Sequence, residues 1–156
     1  MQNFVNFYSP TIKSKNAFYL PVEDAKVSFV DVRDIAAIAV KTLTDDDGGG
    51  GNGSRHNGKA YTITGPEALS YYQVADILSN ATGKKIGYVN ISEEDTRIGM
   101  KDMGINEWLI NIIIETFLYY YRKGYASQVS DAVESITGNK PISFAQFAMD
   151  HVGAFR

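Results

Sequence analysis

Runs of β-branched and aromatic residues predict three or four short strands along the chain. The clearest runs are residues 27–32 (VSFVDV), 60–64 (AYTIT) and 85–91 (KIGYVNI), and a brief run at 18–20 (FYL) precedes them. Turn-forming or helix-capping residues follow each run, as expected at the end of a strand.

Apolar residues recur every three to four positions between these strands, which is typical of amphipathic helices. The helix predicted over residues 34–43 has one apolar face: Ile35, Ile38, Ala39 and Leu43. The next helix is predicted to begin at Ser70 and end at Gly83, and its apolar face is formed by Tyr71, Val74, Ala75 and Leu78.

The rest of the chain is predicted to be mostly helical. One helix follows Ser92, with Asp95 as its capping-box partner, and ends at Gly104. Further helices are expected over residues 106–123, 127–137 and 143–154. The order βαβαβ followed by helices predicts one α/β domain, residues 1–156, with a helical C-terminal cap.

Composition narrows the possible partners and the cellular location. The 156 residues are 44% hydrophobic, enough for one continuous core, and the formal charge of −3 gives no reason to bind nucleic acid or an anionic membrane. There is no cysteine and no secretory signal, so we expect a cytoplasmic protein that binds a small molecule or another protein. The most apolar stretch, residues 108–121, is too short to cross a bilayer and is predicted to be a buried helix.

Residues 44–58 (TDDDGGGGNGSRHNG) predict a flexible surface loop. Its glycine run resembles a phosphate-binding loop only superficially, because an acidic triplet precedes it and no helix follows. We therefore expect no phosphate site there. The two histidines, His56 and His151, are far apart in the sequence, so no metal-binding group is apparent.

Two aspartates flank Arg33 where the strand at 27–32 meets the following helix. Asp31 is suited to cap the helix, and Asp34 could reach back as the acidic member of a capping box. Capping explains both carboxylates without chemistry, while a role in a site is the alternative. Arg33 could pair with a carboxylate or with a ligand phosphate, and the salt bridge is the commoner outcome.

Two further groups in the long helix have a functional interpretation. Tyr119 and Lys123 have the Tyr-x-x-x-Lys spacing of short-chain dehydrogenases, but a run of three tyrosines produces such a match by chance. Trp108, Phe117 and Tyr120 are consistent with a helix packed into the core or lining a pocket, and the sequence slightly favours the core.

Three longer segments resemble one known family in order and spacing. They are VSFVDVRDIAAIAVKTL, HNGKAYTITGPEALSYYQVADILSNATGKKIGYVNIS and GYASQVSDAVESITGNKPISFAQFAMDH. Together they are similar to the C-terminal half of NmrA-like proteins, which are atypical short-chain dehydrogenase/reductases. This family includes NAD(P)H-dependent quinone oxidoreductases and NAD(P)-sensing regulators.

The resemblance implies a partial Rossmann-type fold and a set of pocket residues. Gln2, Asn3 and Phe4 match a segment that lines the nicotinamide and substrate pocket in the family. Phe18 and Pro21 match the next wall of that pocket, and Asp31 and Asp34 match a junction beside it. We add Trp108 as a further pocket candidate. No catalytic residue is implied.

The family's pyrophosphate loop and ribose-reading residue belong to the N-terminal half of its members, which this sequence does not include. NAD(P)H is thus implied by the family, but no intact cofactor site is expected in this chain alone. We therefore expect a truncated NmrA-like protein that acts as a small-ligand-binding or regulatory module.

Two alternatives remain open. One is a fragment of an NAD(P)H-dependent oxidoreductase acting on quinone-like substrates, and the other is an interaction domain without a ligand. An apolar face left uncovered by the missing half would be costly, so a homo-oligomer or a complex with that half is expected.

Overall fold

A computed structural model describes residues 1–45 and 55–156 of the chain. The predicted flexible loop and its glycine run fall largely on residues outside these ranges. Within the described ranges the α-helices are α1 (Ser9–Lys15), α2 (Val32–Thr44), α3 (Tyr71–Thr82), α4 (Glu93–Asp102), α5 (Glu107–Glu115), α6 (Ala132–Thr137) and α7 (Phe144–Asp150). Two π-helices, Phe4–Tyr8 and Thr116–Tyr121, and two 3₁₀-helices, Tyr125–Ser127 and Val152–Ala154, complete the helical content.

Four short strands form two small sheets in the described part of the chain. Strand β1 (Ala17–Leu20) is parallel to β4 (Gly87–Asn90), and β2 (Lys26–Val27) is antiparallel to β3 (Leu69–Ser70). Parallel strands need a crossover, and α3 lies in the connection and packs on β4 and α7. The predicted α/β class is therefore confirmed.

Local capping signals fix the starts of several helices. Ser70 and Gln73 form a complete capping box at α3: the Gln73 amide donates to Ser70 Oγ (3.2 Å) and the Ser70 amide to Gln73 Oε1 (2.9 Å). Gly83 ends the same helix with φ +73°, a left-handed conformation that glycine adopts without strain. Ser92 caps α4 as predicted, with the Asp95 amide donating to its hydroxyl.

Two predicted strands are wrong in extent. The strand at 27–32 stops at Val27, because the Ser28 amide donates to the Ala126 carbonyl and not to a neighbouring strand. Residues 60–64 form no strand in the described ranges. The predicted alternation of inward and outward side chains is present, since Tyr61 and Ile63 pack on the smaller core cluster. The backbone of this segment bonds to Ser130 and not to a strand, because the Ser130 hydroxyl donates to the Thr62 carbonyl (2.5 Å).

The predicted helices at 106–123 and 127–137 are also only partly correct. The first is α-helical to Glu115 and then becomes the π-helix Thr116–Tyr121, and it is not buried: Trp108, Tyr119 and Tyr120 are exposed. Of the second, only Ala132–Thr137 is α-helical. The 108–121 stretch is apolar on both faces, and α5 buries only Ile110 and Ile114.

The main core lies between the two-stranded parallel sheet, the N-terminal π-helix, α3 and α7. Its largest fully buried side chains include Phe18, Leu78, Phe144 and Phe147. A smaller cluster joins Ile38 of α2 to Ala132, Val133 and Ile136. No helix within residues 1–45 or 55–156 is both long enough and apolar enough to span a membrane.

Helix α2 exposes more apolar surface than predicted. Of the four residues of the predicted apolar face, only Ile38 is buried, and the other buried residue of α2 is Asp34. The other apolar side chains form an exposed stripe, the α2 stripe, made of Val32, Ile35, Ala36, Ala39, Val40 and Leu43. Leu43 is 85% exposed. Each of these positions has another of the set three or four residues away, so together they form one face of the helix.

Gly65 lies against the backbone of the segment that enters α2. A Cβ atom at this position would lie 1.9 Å from the Phe29 carbonyl oxygen, which is backbone and cannot rotate away. Gly65→Ala is therefore expected to destabilise the fold by about 2 kcal/mol or more, as overpacking does. Urea unfolding followed by circular dichroism would measure the loss.

Gly99, inside α4, provides the matched control because a Cβ atom added there would meet nothing within 4 Å. Gly99→Ala should stabilise the protein by roughly 0.5–1 kcal/mol, since alanine favours helix interiors. Equal effects of the two substitutions would contradict the close approach at Gly65.

Candidate functional site

The Asp31 carboxylate is fully buried at the N-terminus of α2 and is held mainly by Arg33. Its Oδ1 accepts hydrogen bonds from the Arg33 amide (2.9 Å) and from Arg33 Nε (3.0 Å), and its Oδ2 accepts from Arg33 Nη2 (3.0 Å). The guanidinium therefore binds the carboxylate in bidentate fashion while the same carboxylate caps the helix. The predicted cap at Asp31 is confirmed.

Arg33 also reaches the last α-helix. Its Nη1 lies 2.8 Å from Asp150 Oδ2 at the end of α7, so one guanidinium bridges two carboxylates from distant parts of the chain. Asp34 does not form the predicted capping box. Its Oδ2 instead accepts from the Ile142 amide (2.9 Å) in the segment that leads into α7. Both side chains thus join α2 to α7.

The two aspartates respond oppositely to this environment. Burial alone would raise the pKa of Asp31, but hydrogen bonds from the side chain and amide of Arg33 and from Gln2 outweigh it and hold the pKa below its ordinary value. Burial raises the pKa of Asp34, and the bond from Ile142 compensates only in part. The anionic form is therefore favoured at Asp31 and disfavoured at Asp34.

The N-terminal segment is attached to the same junction. Gln2 accepts from the Val32 amide through Oε1 (3.0 Å), and its side chain also bonds to Asp31. Two residues further on, Phe4 enters a cluster of rings, with centroids 5.5 Å from Phe18 and 5.1 Å from Phe144. Four of the candidate pocket residues, Gln2, Phe4, Phe18 and Asp31, are therefore brought together here.

The other pocket candidates lie apart from this group or at its margin. Pro21 is buried, and its carbonyl accepts from Arg122 Nε (2.9 Å). Asn3 is exposed, and Trp108 on α5 is 71% exposed, so the slight preference for a core position at Trp108 is wrong. Trp108 lies on the solvent-exposed face of α5, and the buried face of that helix is formed by Ile110 and Ile114.

The Tyr119 and Lys123 pair lines a shallow groove of about 490 Å³ between α4, α5 and the second π-helix. Tyr119 is 54% exposed, and its ring stacks on Tyr125 at 5.6 Å. Across the described ranges no hydrogen bond joins the Tyr119 hydroxyl to the Lys123 ammonium. The geometry therefore gives no support to a dehydrogenase-type pair at these positions.

Sequence reasoning missed a group of three tyrosines, which we call the phenol cluster: Tyr8, Tyr71 and Tyr121. The rings of Tyr8 and Tyr71 both contact Phe4, at 5.3 and 6.1 Å between centroids. Tyr121 packs against the same core; burial raises the pKa of both Tyr8 and Tyr71, and the Tyr121 phenol raises each pKa further. No spacing in the sequence connects these positions.

The helix starts of the described chain do not fit the pyrophosphate of a dinucleotide. The helices α2, α3 and α4 follow extended segments, but their first-turn amides already bond to Asp31, Ser70 and Ser92. Carboxylates add negative charge at α2 and α4, which would repel a phosphate. A cofactor would need its phosphates held by other residues.

Comparisons with known proteins define the class. No family model matches the chain. The NAD(P)H azoreductase of Xenophilus azovorans is 39% identical over 155 residues, which are 99% of this chain and 51% of that protein. Festuclavine dehydrogenase of Aspergillus fumigatus is 33% identical over 140 residues, 88% of this chain and 45% of that protein.

Solved structures agree on the fold. The NADPH-dependent quinone oxidoreductase of Escherichia coli matches with a TM-score of 0.79 and 23% identity, over 97% of this chain and 51% of that one. Triphenylmethane reductase of Citrobacter sp., solved with NADP(H), matches with a TM-score of 0.77 and 22% identity, over 97% and 49%.

The fold is α/β, and the relatives to which the chain is similar include NAD(P)H-dependent reductases. The chain belongs to the NmrA-like family of azoreductases and quinone oxidoreductases, and it corresponds to the C-terminal half of its members. It spans about half the length of the curated relatives that it matches.

The opposite pKa directions of the two aspartates predict opposite pH dependences for their amide variants. The lowered pKa of Asp31 contributes stability that is complete above about pH 4 and is lost as the pH falls through the folded-state pKa. The raised pKa of Asp34 contributes stability that is complete below about pH 4 and is lost as the pH rises through the folded-state pKa.

Asp31→Asn is therefore expected to lose about 2 kcal/mol at pH 7 and less at about pH 3, because it leaves Arg33 without its buried partner. Asp34→Asn keeps an oxygen for the Ile142 amide, so it should gain stability relative to the unsubstituted chain as the pH rises from about 3 to about 7. Urea unfolding at both pH values measures this, and the same direction of change in both variants would contradict the assignment.

Proposed function

We propose that this chain supplies the acceptor-binding side of an NAD(P)H-dependent reductase whose substrates are planar conjugated molecules of the azo or quinone type. The observation that carries the proposal is the match of 99% of the chain, at 39% identity, to an NAD(P)H azoreductase. The names of the other relatives support a conjugated acceptor, since they include a quinone oxidoreductase and a triphenylmethane reductase.

The geometry around Asp31 supports the same role. The buried Asp31 carboxylate, paired with the half-exposed Arg33, fixes Gln2, and this holds the Phe4 ring of the N-terminal segment beside Phe18. Phe4 and Phe18 are buried, so in this proposal they support the wall of a site for a flat apolar ligand from behind. Because the helix starts are already capped, the nucleotide is held by a different segment or subunit in this proposal.

Two measurements test the function. Calorimetric titration of the 156-residue chain with menadione should show saturable binding, whereas titration with NADPH should not. Joining the chain to the N-terminal half of the Xenophilus azovorans azoreductase should restore NADPH oxidation, followed by the loss of NADPH absorbance, only when an azo dye or a quinone is added.

Tight NADPH binding by the chain alone would overturn the proposal that this chain binds the acceptor while another segment or subunit binds the nucleotide. A joined protein that binds NADPH and menadione but reduces no acceptor would overturn the reductase role and favour the regulatory module. The control is the same N-terminal half without this chain, which should oxidise no NADPH.

We further propose that an NAD(P)-binding half covers the α2 stripe. In the Escherichia coli quinone oxidoreductase this same fold occupies about half of the chain. Here the α2 stripe is exposed, and residues 60–64, which pack beside α2, pair with no strand in the described ranges. A parallel sheet with helices on its faces would complete both features together.

The pair Val40→Asp and Leu43→Asp tests this surface. Sedimentation velocity of the chain mixed with the separate N-terminal half of the azoreductase should show a one-to-one complex, and the double variant should weaken it at least about tenfold by burying charge. The matched control is Ile98→Asp with Met103→Asp, because these side chains are similarly exposed at α4. If the chain forms a homodimer, and the α2 double variant dissociates it while the α4 control does not, then a second copy of the chain covers the α2 stripe.

A further inference from the structure

The phenol cluster draws three tyrosines from distant parts of the chain to one aromatic core. Tyr8 ends the first π-helix, Tyr121 ends the second, and Tyr71 is the first residue of α3. Tyr8 and Tyr71 also share Phe18, at 6.1 and 6.2 Å between centroids, and Tyr121 contacts Phe117 at 5.5 Å. The cluster is thus the polar end of the aromatic core.

None of the three hydroxyls has a hydrogen-bond partner among the residues that the structure describes. Nearby Tyr88 is different, since its hydroxyl donates to the Leu20 carbonyl and to Asn90 Oδ1, both at 3.1 Å. In these same ranges every side-chain nitrogen or oxygen that is shielded from solvent has a partner. The three hydroxyls are therefore reached by solvent, although the Tyr71 side chain as a whole is only 3% exposed.

Such a group is unusual for a purely structural core. A phenol at the edge of an apolar cluster commonly bonds to a carbonyl or to a side chain of the protein. In the described part of the chain none of these three donors has an acceptor beside it. An incoming ligand with an acceptor atom would meet this group of donors, and the half-buried rings of Tyr8 and Tyr121 would give it an apolar contact.

The charge state suits a donor role. Burial raises the pKa of Tyr8, Tyr71 and Tyr121, and for Tyr8 and Tyr71 the neighbouring phenols raise it further. All three remain protonated at neutral pH and can donate hydrogen bonds to an oxygen or nitrogen that carries no proton.

The two π-helices support a specific arrangement. A π-helical turn is rare, and single π turns occur frequently at functional sites. Among the residues that the structure describes, both π-helices end at a tyrosine of the phenol cluster. Two independent departures from α-helical geometry therefore each end at a phenol that packs on the same core.

We propose that the phenol cluster is the recognition site for the carbonyl oxygen or azo nitrogen of a planar aromatic acceptor. This inference rests on the proposed function, because it assigns residues to the acceptor side of that reaction. The three tyrosines are positioning residues: their hydroxyls hold the acceptor atom and polarise it, and their donation strengthens as that atom gains negative charge during reduction.

The test uses two ligands of the same ring frame, menadione and 2-methylnaphthalene, and the 156-residue chain. Menadione carries two carbonyl oxygens and 2-methylnaphthalene carries none. Tyr8→Phe, Tyr71→Phe and Tyr121→Phe should each weaken menadione binding about 3- to 10-fold, the range of one lost hydrogen bond. Binding of 2-methylnaphthalene should change less than about twofold.

Tyr119→Phe is the matched control, because Tyr119 lies on the same π-helix as Tyr121 but is exposed and contacts Tyr120 and Tyr125 instead. It should leave the binding of both ligands unchanged. Thermal melting by circular dichroism checks the fold, and if Tyr71→Phe unfolds the protein, the half-buried Tyr8 and Tyr121 still carry the test.

Equal weakening of both ligands by the phenylalanine variants would show that the rings act by packing alone and would overturn the inference. Menadione binding that no variant changes would overturn it as well. Neither outcome affects the NADPH oxidation of the joined protein, so a failure of this inference is distinguishable from a failure of the proposed function.

Discussion

The ion pair between the buried Asp31 carboxylate and the half-exposed Arg33 is the interaction on which the arrangement of this half-domain depends. Asp31 starts α2, its partner Arg33 reaches Asp150 at the end of α7, and Gln2 binds the same carboxylate. A buried carboxylate is stable only when its oxygens are well supplied with donors, and here they are. Three segments that are remote in the sequence are consequently held at one point.

This junction also explains why the candidate site is rigid. The first turn of the N-terminal segment is bonded to the start of α2, and its Phe4 ring is enclosed by other rings. Rigid aromatic surfaces lose little entropy when a flat ligand binds. In the proposed site the charged groups of the junction would act through position, and a ligand would contact the phenol cluster in place of the enclosed Phe4 ring.

Local signals predict the parts of the fold that depend on neighbours in the sequence. Ser70, Gly83 and Ser92 delimit helices through bonds that span a few residues, and the strands β1 and β4 follow from apolar content. The predicted strand at 60–64 is wrong because pairing depends on a partner, which no local pattern contains. The candidate site is only partly predictable for a related reason: the cap at Asp31 is local, but the bond from Ile142 to Asp34 spans 108 residues.

The phenol cluster shows the same limit of sequence reasoning. It needs two π-helices, and π turns have no clear signature in residue type. The family resemblance indicates Gln2 and Phe4, whereas Tyr8, Tyr71 and Tyr121 are brought together only by three-dimensional packing.

The segment at residues 60–64 has a consequence for aggregation. An extended edge with alternating apolar residues invites pairing with any other exposed edge, and natural proteins protect such edges. Here the Ser130 hydroxyl donates to the Thr62 carbonyl, and the Ser130 amide donates to Thr64 Oγ1 (2.9 Å). Lys59 adds a positive charge just before the segment. Ser130 and Lys59 thus partly block this edge. Non-specific pairing with another strand is disfavoured, and a partner that also covers the neighbouring helix α2 is favoured.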